Sequence, residues 1–219
     1  MSSPEAGWVT AGWAVADEEA TEKVADSARS LITALRRADA PSETLERAAA
    51  LVAEAAALLA DHQVDGMPMQ GRIGPGGPGG NDPGRDPKRF FPYSPVVGPL
   101  NPIAPPIDFT FTDGRMRASA NLGAQYNGPP GMVHGGIIAL VFDELLGATN
   151  VCHGLGGFTG TLSIRYERPT PVEADLTLEA WIDRTEGRKV FTAGTISFNG
   201  EVTARAEGIF IQTTNFKPR

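Results

Sequence analysis

Between Asn127 and Thr161 the chain places two kinds of group that could act on a carbonyl compound. The first is a pair of adjacent carboxylates, Asp143-Glu144, set inside GIIALVFDELLGATNV over 136–151. That run is long, rich in Ile, Ala, Leu and Val, and free of Pro, the composition of a helix covered on most sides. Carboxylates in such a helix are costly to desolvate unless they are paired or put to use. The second is His134-Gly135-Gly136, directly ahead of the run. It follows a turn, Gly128 to Gly131, where Gly and Pro forbid regular structure. Backbone N–H groups at a helix start lack partners within the helix, and glycine lets another molecule approach them closely. A carboxylate can activate water or attack directly, while free N–H groups polarise the carbonyl. One of the pair, Asp143 or Glu144, is therefore the candidate base or nucleophile. Gly136, followed by Gly135, is the candidate donor.

Spacing constrains how these groups can meet. Seven residues of helix separate Gly136 from Asp143, about 10 Å of rise. A carbonyl held by one and attacked through the other needs them much closer, and one helix cannot supply that. Two antiparallel helices from two copies can, which predicts an obligate dimer with two interface sites. Glu144 competes with Asp143, but helical neighbours point about 100° apart, so only one faces the site. The other is then expected at the helix flank, paired or solvated. On the strand expected next, alternation puts Phe158, Gly160, Leu162, Ile164 and Tyr166 on one face. Thr159, Thr161, Ser163 and Arg165 share the other, either as polar lining of the site or as an ordinary exposed face.

These groups need a frame. Asp17 to Ala38 reads as an amphipathic helix, with Val24, Ala28, Leu31, Ile32 and Leu35 at helical spacing, acids early and Arg36-Arg37 late. Pro41-Ser42 restarts a second helix over Leu45 to Leu59, with Ser42 as its N-cap. Such a hairpin cannot bury its faces alone and is expected against the main domain or a partner subunit. Residues 1–16, with Trp8 and Trp13, show no period. Gly66 to Pro87 contains GRIGPGGPGGNDPGRDP and reads as a flexible linker. It lacks the strand, lysine and helix of a phosphate loop. Lys88 to Pro106 is apolar but rich in proline, and should lie extended along the domain surface.

Ile107–Thr112 and Arg115–Leu122 alternate around Asp113-Gly114, a hairpin signal. Four more strands are expected at Phe158–Glu167, Ala174–Arg184, Lys189–Phe198 and Val202–Gln212, with tight turns at Glu186-Gly187 and Asn199-Gly200. Two strands, one buried helix and an antiparallel meander fit a curved antiparallel sheet wrapped around a central long helix, an α+β fold. The chain divides into a helical arm over 1–65, a Gly/Pro-rich linker over 66–92 and a main domain over 93–219.

Composition narrows the classes. The net charge of -7 argues against a nucleic-acid partner and offers no polybasic membrane patch. Its excess acid lies in the arm, where residues 1–65 hold 12 acidic and 5 basic side chains. The single cysteine, Cys152, excludes an internal disulfide and disfavours a Cys-based metal site. His62 and His153 have no ligand-like neighbours in sequence, so no metal is expected. No apolar run approaches the roughly 20 residues of a membrane span, and no signal peptide opens the chain, so a cytoplasmic setting is expected.

The run GPPGMVHGGIIALVFDELLG, with the strand ending Arg165-Tyr166-Glu167-Arg168-Pro169, resembles the hotdog-fold acyl-CoA thioesterases of the PaaI and THEM type. The likeness covers about residues 93–212; the arm and linker lie outside it. In that family the His-Gly-Gly turn starts the central helix, and the acid nine positions after the His is catalytic. The resemblance thus implies hydrolysis of an acyl-CoA to free acid and CoA, without a cofactor, by a homodimer or a dimer of dimers. It assigns catalysis to Asp143 rather than Glu144, with Thr159 orienting the attack and Thr161 the near alternative. His134 either supports the turn or contacts the thioester carbonyl, and Asn127 could serve in the same way. Arg165, Arg168 and Arg188-Lys189 are candidate contacts for the CoA phosphates. A non-catalytic acyl-CoA-binding module is the alternative reading. A hydratase is the third, disfavoured because no suitable His follows Asp143 in the helix.

Overall fold

The computed structural model of this chain describes residues 17–63, 70–71 and 86–212. Residues 1–16 and most of the expected linker lie outside the described residues. Six strands form one antiparallel sheet: β1 (Ile107–Thr112), β2 (Arg115–Asn121), β3 (Phe158–Tyr166), β4 (Asp175–Glu186), β5 (Lys189–Phe198) and β6 (Glu201–Ile211). All fall within two residues of their expected bounds. Their spatial order is β1-β2-β4-β5-β6-β3, so β3 returns across the meander to become an edge. The turns use left-handed backbone where the sequence supplies residues that tolerate it, with φ of 52° and 71° at Asp113-Gly114 and 50° and 80° at Asn199-Gly200.

The long helix α4 (Gly135–Cys152) crosses one face of this sheet, packing on β2 through β6, which is the hotdog arrangement the resemblance implies. Phe142, Leu145 and Leu146 are fully buried against a core that includes Met116, Ala180, Val190 and Phe210. Close packing depends on two sheet glycines. A Cβ on Gly194 would sit 2.9 Å from the Glu179 carbonyl oxygen and 3.0 Å from Leu146 Cδ2, and one on Gly208 would sit 3.1 Å from Leu146 Cδ1. By length and composition α4 alone, among the described residues, could cross a membrane. This differs from the expectation that no apolar run approaches that length; in the fold the apolar side of α4 is taken up by the sheet.

The segment before β1 differs from the extended surface strap expected of it. One helical turn, α3 (Pro87–Phe90), is capped by Asp86, whose carboxylate accepts from Lys88 N–H at 3.0 Å. Phe90, Phe91, Val96 and Val97 belong to the hydrophobic core. The expected linker therefore overlaps the main domain at its C-terminal end. Apolar burial outweighs the extended bias of the prolines.

In the arm, α1 (Glu18–Arg37) and α2 (Ser42–Ala60) form as expected, although α2 starts on Pro41 without a side-chain cap, so Ser42 is its first helical residue. The face of α1 that docks is not its apolar stripe. Val24, Leu31, Ile32 and Leu35 are exposed, while Ala25 is buried and Arg29 donates to the carbonyls of Asn101 at 2.7 Å and Pro99 at 3.1 Å. Every residue of α2 is exposed.

Filling the space under Leu146 should be costly. Gly194→Val should destabilise the fold by about 1–3 kcal/mol through overpacking, read as a lower Tm in calorimetry. An unchanged Tm would show that α4 does not need this close approach.

Candidate active site

The turn ahead of α4 is held by its own backbone. His134 N–H donates to the Tyr126 carbonyl at 2.9 Å, Gly128 N–H donates to Met132, and Asn127 bridges to Val133 in antiparallel fashion. Gly131, at φ 75°, takes the left-handed conformation the bend requires. His134 is the N-cap of α4, and its Nδ1 accepts from Gly136 N–H at 2.9 Å. The ring proton therefore sits on Nε2, which points away from the helix turn it caps. The His134 carbonyl accepts from Ile137 N–H at 2.9 Å and Ile138 N–H at 3.1 Å.

This arrangement corrects the choice of donor. Gly136 N–H is engaged by the His134 ring, so it is not free for a substrate. Among the described residues no acceptor faces Gly135 N–H. That amide shares a peptide plane with a carbonyl anchored into the helix, so it is aimed outward from the helix start. Tyr166, a residue the sequence reading left among the apolar face of its strand, donates its hydroxyl to the Gly135 carbonyl at 2.9 Å. A Cβ on Gly135 would lie 3.4 Å from that hydroxyl, so Tyr166 fits over the bare glycine.

At the middle of α4, Thr159 Oγ1 donates to Asp143 Oδ1 at 2.8 Å. Asp143 is half-buried and keeps its second oxygen unclaimed among the described residues. The threonine reaches the helix because of a bulge. Thr159 pairs with Phe210, while Thr161 pairs with Ile209, leaving Gly160 as the extra residue. Directly paired residues project to the same side of a sheet. Thr159 therefore follows buried Phe210 toward α4, whereas Thr161 follows Ile209 to the outer face. Arg165, opposite Arg205, lies on the outer face too. Strict alternation put Thr159, Thr161 and Arg165 together; the bulge separates them, and Thr161 and Arg165 do not line this site. Arg168 is ion-paired with Glu201.

Glu144 is hydrogen-bonded by Ser94 on one side of its carboxyl only. Its Oε1 is buried without a hydrogen-bond partner among the described residues. Burial pushes its pKa up from 4.5 to about 7; the Ser94 hydroxyl pulls the other way, and the neighbouring Asp143 charge adds to the rise. Ser94, buried in the segment expected as a surface strap, is the neighbour recorded at its carboxyl. A raised folded-state pKa means that the native state holds this proton more tightly. Its stabilising contribution is complete below pH 4.5 and is lost as pH rises through about 7. Thermal melts should show stability falling across that window, and Glu144→Gln should flatten that part of the profile. An unchanged profile in the variant would place the titrating group elsewhere.

His153 Nε2 lies 3.0 Å from the Gly114 carbonyl oxygen, with its ring edge-on to Phe111, and so ties α4 to the β1–β2 turn. Among the described residues no three His, Cys, Asp or Glu side chains gather as metal ligands would.

The Thioesterase superfamily sequence model matches residues 130–204, the span that holds His134 through Tyr166. A crystal structure described as a thioesterase superfamily protein superposes with a TM-score of 0.75 at 35% identity, covering 90% of this chain and 92% of that one. The chain belongs to the thioesterase superfamily. Because that superposition takes in most of the arm as well, the superfamily core is not the only shared part. Two similar relatives are acyl-coenzyme A thioesterase THEM4 of Mus musculus, 34% identical over 98 residues, and acyl-coenzyme A thioesterase THEM5 of Homo sapiens, 32% identical over 92 residues. These matches take in 44% and 41% of this chain, and 42% and 37% of the relatives. The chain thus spans about two fifths of the length of the curated relatives it matches. Asn127 and the arm fall outside the superfamily span.

Proposed function

We propose that this protein hydrolyses an acyl-coenzyme A thioester to a free carboxylic acid and CoA, at two sites across the interface of a homodimer. The observation that carries this reading is the pinned Asp143–Thr159 pair on the same helix whose start offers an unengaged Gly135 amide. Eight residues, about 12 Å of rise, separate the two. Gly136, Leu140, Asp143 and Gly147 form one incompletely covered stripe along α4, and β3 beside it is a sheet edge with Phe158 and Tyr166 exposed. Pairing two β3 edges about a two-fold axis would extend the sheet and set the two α4 helices antiparallel. Gly135 of one copy then faces Asp143 of the other, and the stripe is covered.

In such a site the thioester oxygen sits on Gly135 N–H, where negative charge develops. With Oδ1 held by Thr159, Asp143 presents Oδ2 either to a water, taking its proton as it attacks, or to the carbonyl carbon itself. Collapse of the tetrahedral intermediate breaks the C–S bond; in the water route the proton Asp143 took passes to the CoA thiolate, and in the direct route the thiolate leaves first and takes its proton from the water that then cleaves the anhydride. The second route ends when water cleaves the acyl-aspartate anhydride; both give the same products. His134, capping through Nδ1, holds the turn, and Tyr166 fixes Gly135. A dimer of dimers can form on the outer sheet faces without altering these sites.

Asp143→Asn keeps the shape and the bond to Thr159 but removes the base. Thiol release from an acyl-CoA panel should fall by about 10²–10⁴-fold, while acyl-CoA binding by calorimetry persists. Undiminished turnover would refute the assignment, and absence of turnover in the wild type would favour a binding module.

A further inference from the structure

Helix α1 lies outside the matched superfamily span, yet its last two turns grip the turn that starts α4. Thr33 Oγ1 accepts from Gln125 Nε2 at 3.2 Å, Arg36 Nη2 donates to Asn127 Oδ1 at 2.8 Å, and Arg37 is ion-paired with Glu173. Asn127 is not a remote anchor. It bridges to Val133, and the next residue, Gly128, lies so close to His134 that a Cβ there would sit 2.9 Å from His134 Cα. The loop that carries Asn127 therefore packs on the backbone just ahead of Gly135.

A guanidinium has five donors and no acceptor. Its bond to Asn127 is possible only with Oδ1 turned toward α1, which turns the NH₂ group the other way. One of those N–H groups meets the Gly128 carbonyl at 3.2 Å. The other has no acceptor among the described residues. Were the amide flipped, Asn127 would present an oxygen lone pair where a second donor is wanted, and a developing oxyanion would meet repulsion instead of a hydrogen bond.

We propose that Arg36 is a positioning residue for the reaction: it sets the orientation of the Asn127 amide so that an Nδ2–H joins Gly135 N–H at the thioester carbonyl. This rests on the hydrolase reading above. Arg36 touches neither substrate nor reacting atoms; it acts through Asn127. The arm is thereby part of the donor site, and its docking through arginine to loop groups, rather than through its apolar stripe, acquires a purpose.

The test is a double-mutant cycle on the full chain, with kcat, KM and Tm measured for Arg36→Ala, Asn127→Ala and the pair, and Arg36→Lys as the donor-only conservative change. Arg36→Ala should lower kcat about tenfold, a part of the loss that follows removal of a whole donor, and leave KM within about threefold. In the Asn127→Ala background the same change should have no further effect. Arg36→Lys should restore most of the loss. Additive losses, or full kcat in Arg36→Ala, would overturn the proposal, as would a loss that tracks a fall in Tm. If the wild type turns over no acyl-CoA, the hydrolase reading fails and takes this inference with it. Turnover with additive losses defeats the inference alone.

Discussion

A helix advances 1.5 Å per residue, and that fixed rise governs this molecule. The groups best suited to hold a carbonyl and to attack it sit at the start and the middle of α4, eight residues apart, with a rigid hydrogen-bonded rod between them. No loop motion within one chain can close that gap without unwinding the helix from a core in which Phe142, Leu145 and Leu146 are fully buried. The proposed interface follows from this constraint. An antiparallel copy converts a separation within one helix into proximity between two. The incompletely covered stripe of Gly136, Leu140 and Gly147 is narrow enough for helices to approach closely, because two of its three members lack a side chain.

The rest of the fold serves the placement of α4. Glycines at 194 and 208 let Leu146 settle onto the sheet, and the bulge at Gly160 turns Thr159 inward to reach Asp143. His134 caps the first turn, and by taking Gly136 N–H it leaves one amide, not two, aimed outward. Tyr166 holds the Gly135 carbonyl from the end of β3, and Asn127 lies in the turn gripped by α1. The neighbouring carboxylates have divergent surroundings: Asp143 is pinned by the Thr159 hydroxyl, while Glu144 is desolvated beside Ser94 with its proton held more tightly.

Much of the frame was legible in the sequence because it is written in local periodicity and turn chemistry. Strand alternation, Asp113-Gly114 and Asn199-Gly200, and the Pro-free apolar run fix six strands and one buried helix. What was not legible depends on contacts between distant segments. Alternation cannot reveal that Gly160 is an extra residue, so Thr161 and Arg165 were grouped with Thr159 and are in fact on the other face. Counting free amides at a helix start cannot show that a histidine ring occupies the one at Gly136. Proline-rich composition hid the burial of Phe90, Phe91 and Val96, and with it that of Ser94 beside Glu144. Arg36 looked like helix-dipole chemistry, since its bond to Asn127 joins residues 91 apart in sequence.

The central claim is that each site is shared between two copies, and subunit complementation tests it directly. Gly135→Pro removes the donor at N1, a position that accepts proline after an extended residue such as His134, at ψ 134°. Asp143→Asn removes the base. Each homodimer should be inactive, but dimers formed from an equal mixture should recover about a quarter of wild-type turnover, because half are hybrids and each hybrid has one intact site. A mixture no more active than its parents would mean that donor and base act within one chain, and the shared-site account would be wrong.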